Sequence, residues 1–252
     1  KIIIDETNYY LFANSQNEIQ DGSYDNPFKS FEQLISVLKF SNKKIRFHIY
    51  GNIDIPNNEF LISKDCTFIG HDSNLSFKEN STIKVLNANV EFENLIIEKK
   101  SQVENSPLVY AENSSVGISN CEFSSVFLKN GTLLDLENSK VHIENSGFTI
   151  QSDSYACGIS SENSNIVCEN SRFTSVAESC FNVKISGGIC SFSDSSFSLI
   201  GTLGRGIQIL NASASIVQNE FNARLSDSTK KSSPIWSNVN SVVSEKNIQK
   251  GF

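Results

Sequence analysis

The sequence contains no methionine, a single tryptophan, four prolines and only four arginines, Arg46, Arg172, Arg205 and Arg224. Each shortage removes a class of explanation. With a net charge of −7, the chain lacks the basic stripe that phosphate backbones require, which excludes a nucleic-acid binder. No apolar run approaches the ~18 residues of a membrane span. The six cysteines form no CxxC pair and have too few histidines near them for a zinc site. Methionine is missing even at position 1, which suggests a trimmed piece of a longer product from which any signal peptide or anchor has been removed. The prolines are few while Asn, Ser and Phe abound, a composition of turn-rich β structure and not of disorder.

What is present is a repeat. "NSSVGISNCEF" at Asn113 returns as "NSKVHIENSGF" at Asn138 and as "NSNIVCENSRF" at Asn163. With the leading residue as position 0, units begin at Asn87, Asn113, Asn138, Asn163, Gly187, Asn211 and Asn238, spaced 26, 25, 25, 24, 24 and 27 residues apart. Positions +3 and +5 are mostly apolar (Val116 and Ile118, Val141 and Ile143), and so are −4 and −2 (Val109 and Ala111, Leu134 and Leu136). Position +10 reads Ile97, Phe123, Phe148, Phe173, Phe197, Phe221 and Ile248, and Asn recurs at +7. Alternation puts each pair of apolar stations on one face of a short strand. The asparagines mark bends, since Asn tolerates left-handed backbone.

Three short strands per ~25 residues predict one turn of a parallel β-helix, each column stacking on itself about every 4.8 Å. An antiparallel sandwich does not repeat its register, and a propeller blade needs about 40 residues. The left-handed hexapeptide pattern is absent, so the expected hand is right. The fold class is thus all-β, a right-handed parallel β-helix of about eight turns and near 40 Å long by that rise. It is read as one domain over 1–252, with a cap over 1–44 and turns over 45–252. The open strand edges at both ends need covers. The helical stretch near 30–40 supplies one, with Ser30 and Gln33 as a capping box and Phe31, Leu34, Ile35 and Leu38 as its apolar face. Stacked asparagine amides at 0 and +7 are expected to satisfy the bend groups. Cys168 and Cys190 face inward on neighbouring turns but roughly 8 Å apart, too far to bridge, so free buried thiols are expected.

The opening "ANSQNEIQDGSYDNPFKSFEQL", followed by a short helix and then β-helix turns, resembles the start of many pectin-lyase-like bacterial surface and secreted proteins. In style it is nearest to the polymorphic outer-membrane and autotransporter-passenger type. "GGIC" at Gly187 to Cys190 matches that type's Gly-Gly-Ala-aliphatic element loosely, and the Phe-x-x-Asn partner is missing, as in "FTSV" at Phe173. The resemblance implies an extracellular, cell-surface or periplasmic place and a polysaccharide or host surface molecule as partner. Enzymes of the superfamily act on acidic polysaccharides, but none of the polygalacturonase-like or pectate-lyase-like signature segments occurs here.

Stacking nevertheless sets reactive residues side by side. His142, Glu144 and Glu169 occupy outward stations on adjacent turns, a spacing that two-carboxylate glycosidases use. Glu112, Glu137 and Glu162 form a second acidic line at −1, where weak calcium binding is conceivable although no cofactor is otherwise expected. The longest excursion, Ala223 to Trp236, carries Lys230, Lys231 and the only tryptophan, and loops on rigid scaffolds are where recognition is placed. Trp236 falls at a core-like −2 station. The leading expectation is a non-catalytic surface or secreted module that binds glycans or host molecules. The alternatives are a divergent polysaccharide lyase or glycoside hydrolase, and a structural spacer. Fold alone does not choose among them.

Overall fold

Six of the seven units of the repeat begin by turning the backbone left-handed. In the computed structural model, which describes residues 6–41, 43–56, 58–101, 106–226, 232–239 and 241–252, Asn87, Asn113, Asn138, Asn163 and Asn211 have φ between 48° and 54°. A second series, Asn94, Asn120, Asn145, Asn170, Asp194 and Gln218, repeats the bend with φ between 47° and 59°. Short polar side chains that bond locally lower the steric cost of this conformation. Between the bends the chain runs as short strands, and twenty of them pair in parallel into a β-solenoid of about eight turns.

Register follows the repeat closely. Val109, Leu134, Ile159, Val183 and Ile207 are consecutive partners on one sheet. Phe68, Phe92, Ile118, Ile143, Cys168 and Phe192 are partners on the next. On the third sheet Phe123, Phe148, Phe173, Phe197 and Phe221 stack ring on ring, with centroids 5.4, 4.9, 5.1 and 4.9 Å apart. These columns form one continuous core. Burying each phenylalanine contributes about 1.5–3 kcal/mol, and each stacked pair a further ~0.5–1.5 kcal/mol. All six cysteines are free and buried, and all but Cys157 belong to this core. Burial pushes the Cys121 and Cys180 thiols up to about 11 and those of Cys168 and Cys190 up to about 12, so they stay protonated.

The ladder that satisfies the bends is made mainly by serine, not by asparagine amides. The residue after each left-handed Asn points inward: Ser114 Oγ accepts from Ala88 N–H, Ser139 Oγ from Ser114 N–H and Ser164 Oγ from Ser139 N–H. At the second bend Ser146, Ser171 and Ser195 do the same for Cys121, Ser146 and Ser171, and Asn219 continues the line. The bend asparagines themselves lie at the surface, where Asn170 donates to Asn145 and Asn238 to Asn211. A buried N–H needs a partner, and a hydroxyl supplies one in less space than an amide. Gly188 takes the serine station at a close approach of the chain, since a Cβ there would lie 2.0 Å from the Ser164 carbonyl oxygen.

The two ends differ. Helix α1, Phe31–Leu38, has the expected capping box of Ser30 and Gln33 and buries Phe31, Leu34, Ile35 and Leu38. Phe31 packs against Phe60, Phe68 and Phe77 at 5.1, 5.8 and 6.0 Å. At the other end Val243 and Ile248 are 52% and 56% exposed. There the repeat count needs correcting. Ile207 pairs with Ile235, Ala214 with Val242 and Gln208 with Trp236, so the last turn is 28 residues long. Trp236 therefore stands outward beside Gln208, with Ile235 taking the core side. Among the described residues, no helix is long and apolar enough to cross a membrane.

Candidate functional site

Two faces of the solenoid carry the residues singled out above. On the face of the second sheet, Glu144 and Glu169 are register partners and both are exposed. His142, two residues before Glu144, lies between Gly117 and Val167, so no charged group sits at its station on either neighbouring turn. Asn145 donates to Glu144 Oε1 at 3.2 Å. Both carboxylates face open water, which screens charges at this spacing.

On the first sheet the acidic line is set differently. Glu112, Glu137 and Glu162 are consecutive partners, as their spacing predicts. Tyr110 lies between the first two, its hydroxyl 3.1 Å from Glu112 Oε2 and 3.0 Å from Glu137 Oε2. One phenolic proton is shared between two acceptors, and burial together with those bonds raises the phenol above its ordinary range. Asp135 pairs with Tyr110 on the adjacent strand. Burial holds its carboxyl above the usual carboxylate range; Glu137 and Glu162 push the same way, and a bond from Ser160 opposes them.

These groups open onto a cleft of about 680 Å3 lined by Thr82, Lys84, Ser106, Tyr110, Glu112 and Asp135, among others. Lys84 is ion-paired to Glu59 at 2.6 Å on its rim. Behind the lining residue Ser106 lies Lys99, which is 1% exposed. The Lys99 ammonium donates to the carbonyls of Ser81 and Ser106 and to Ser106 Oγ at 2.7, 2.8 and 2.9 Å. Burial lowers this amine to about 8. Lys99 occupies an inward station whose partner on the next turn is Ser125. A lysine at the inward parity of the strand is the sequence signal that would have marked this place.

The remaining candidates lie elsewhere. Trp236 is half-buried, with the Arg205 guanidinium 4.4 Å from its ring centroid. Lys230 and Lys231 fall outside the described residues. Arg172 is ion-paired to Glu122 two turns away. Among the described residues, no group of three or more His, Cys, Asp or Glu is gathered closely enough to hold a metal ion.

No family model matches the chain, and no curated protein matches it. Among solved structures, the chain is similar to the GH136 lacto-N-biosidase of Eubacterium ramulus, in its native and selenomethionine forms, at 8% identity and a TM-score of 0.24. The alignments cover 97% of this chain and 68% of those chains. At that TM-score the likeness carries over neither fold nor activity.

Proposed function

We propose that this chain is a non-catalytic, extracellular or cell-surface β-helix module that binds a glycan in the Tyr110 cleft. The observation that carries this reading is the convergence on one cleft of an aromatic ring, a hydroxyl, an ammonium and carboxylates from successive turns. Sugars present many hydroxyls that both donate and accept, so a lining of mixed donors and acceptors on a rigid frame suits them. The pectin-lyase-like character of the opening segment supports the same class of ligand. Calcium belongs to this reading only as an ion screening Glu112, Glu137 and Glu162 from one another, checked by comparing melting with calcium and with chelator. The test of the main reading is a glycan array followed by titration of the best binder. Tyr110→Ala should weaken binding at least tenfold, and undiminished binding by that variant would sink it.

A second reading, glycoside hydrolysis in the same cleft, draws on one feature: Asp135, whose carboxyl burial raises, shares the cleft lining with Glu112, and glycosidases divide the work between two such carboxyl groups. Release of new reducing ends from a glycan panel, lost in Asp135→Asn, would move the assignment from binding to catalysis.

A further inference from the structure

We infer that Ser106, with the Lys99 amine behind it, is a nucleophilic serine that takes the acyl group from a neutral ester seated in the Tyr110 cleft. The inference goes beyond glycan binding and does not rest on it, so either can fail alone.

One turn of the solenoid brings the two side chains together. Lys99 lies near the end of the strand Asn89–Ser101, at an inward station. Its register partners are Phe77 on one neighbouring turn and Ser125 on the other, and all three are buried. The Lys99 ammonium lies 5.8 Å from the centroid of the Phe127 ring, which is also buried. Ser106 comes just ahead of the next strand, Val109–Glu112, and is half-buried in the cleft wall. The amine is thus shut away from solvent while the hydroxyl it touches opens onto the cleft.

The hydrogen bonds allow the amine two proton states. Its nitrogen lies 2.7 Å from the Ser81 carbonyl, 2.8 Å from the Ser106 carbonyl and 2.9 Å from Ser106 Oγ. The Pro107 carbonyl stands off at 3.4 Å. A charged amine has three N–H groups and donates to all three near partners. A neutral amine has two, which the carbonyls take because they can only accept, and its lone pair then faces Ser106 Oγ. Passing a proton from Ser106 to Lys99 therefore reverses one hydrogen bond and breaks none. Thr82 Oγ1 donates to the Pro107 carbonyl at 2.8 Å, so it accepts at its 3.1 Å contact with Ser106 Oγ. The serine proton points to Thr82 when Lys99 is charged and can turn to Lys99 when it is neutral.

Among the described residues, no bonding partner of Lys99 is a carboxylate. A buried ammonium without a counter-ion gives up its proton more readily, and burial lowers this one to about 8. A hydroxyl within bonding reach of a base that is itself held in place is what nucleophilic serines require.

In the step, Ser106 Oγ bonds to the ester carbonyl carbon as its proton passes to Lys99 Nζ. The bond from that carbon to the alcohol oxygen then breaks, and Lys99 returns the proton to the departing alkoxide. The acyl group stays on Ser106 as an ester, so the step modifies the chain and consumes one donor molecule. Glu59, Glu112 and Asp135 line the cleft against the single ammonium of Lys84, which favours a neutral acyl group over an anionic one.

The experiment treats the whole chain with p-nitrophenyl acetate at about pH 8, near the amine's own value, and follows nitrophenol release and peptide masses. The parent should release one equivalent at least about tenfold faster than Ser106→Ala, with the acetyl group on Ser106. Lys99→Met keeps the buried stem and removes the base, so release should slow to the Ser106→Ala rate. Should that variant fail to fold, a fluorophosphonate, which ordinary serines ignore, should still label Ser106 in the parent. The anionic p-nitrophenyl succinate should react more slowly than the acetate, and equal rates overturn the assignment to a neutral acyl group. Equal release by parent and Ser106→Ala, or acetyl on Lys84 or Tyr110 and not on Ser106, overturns the inference and leaves glycan binding standing. Continuous release that Ser106→Ala loses keeps the nucleophile and overturns the non-catalytic reading instead. Undiminished glycan binding by Tyr110→Ala defeats the binding reading and leaves the serine as it was.

Discussion

Glu112, Glu137 and Glu162 descend one face of the solenoid at the same pitch as Glu144 and Glu169 descend another. Sequence spacing makes the two lines equivalent, yet their surroundings do not. On the first, Tyr110 links two carboxylates through its hydroxyl, and the half-buried Asp135 is pushed toward its neutral form. On the second, the carboxylates stand in open solvent with an asparagine amide beside one of them. A parallel ladder fixes how far apart like residues stand, because the strand spacing is about 4.8 Å wherever strands pair. What such a row can do depends on the neighbours at the other outward stations. The difference lies in the −3 column, where one face has Tyr110 and Asp135.

Breaking the frame beneath both lines should give the largest effect. Phe148 lies in the stack between Phe123 and Phe173, fully covered, and nothing nearby can fill its volume. Phe148→Ala should cost about 3–5 kcal/mol and lower the melting temperature by roughly 10 °C, read by calorimetry. Hydrogen exchange should rise on both acidic faces together, because they share one register. A loss of protection confined to one face would show that the columns are not mechanically continuous. Next in size is Tyr110→Phe, which removes only the hydroxyl shared by Glu112 and Glu137. It should cost about 1 kcal/mol, a fall of about 2–4 °C. The corresponding change on the open face, Glu144→Gln, should stay within about 0.5 kcal/mol of the parent. Equal effects from the two would erase the contrast between the faces.

How much of this was legible from residues alone follows from what repeats. The phenylalanine column, the left-handed asparagines, the helix cap and the pairing of both acidic lines all depend on backbone period, and each sits where spacing places it. Trp236 does not, because the last turn is 28 residues long, and one residue of slip reverses a strand's faces. The serine ladder was hidden behind the more conspicuous asparagines. Ser114, Ser139 and Ser164 repeat just as regularly, but serine alone does not reveal whether its hydroxyl is buried. Lys99 was hidden by its type, since lysine reads as surface until the strand's parity is counted. The cleft was the least legible feature: Tyr110 and Asp135 share one column on adjacent turns, but Ser106 lies outside it, ahead of the strand that carries Tyr110.

A small expected effect is also the most diagnostic of environment. Burial raises the Asp135 carboxyl above its unfolded value of 3.8, so its ionisation works against the fold. The contribution of this group is fully present below that unfolded value and is lost as pH rises through the higher folded one. At pH 7 the parent therefore carries a penalty that Asp135→Asn does not. Because the site is partly open to water, that penalty is discounted to under about 1 kcal/mol, a gain of about 1–3 °C for the variant at pH 7. The gain should shrink as pH falls through the folded value and below the unfolded one, where the parent carboxyl becomes neutral like the variant's amide. Melting curves of Asp135→Asn and its parent across that range test whether the carboxyl is shaped by its cleft: the two curves converge toward acid pH. A constant gap between them would mean that the Tyr110 face is fully solvated, and the cleft would lose its claim to be the site.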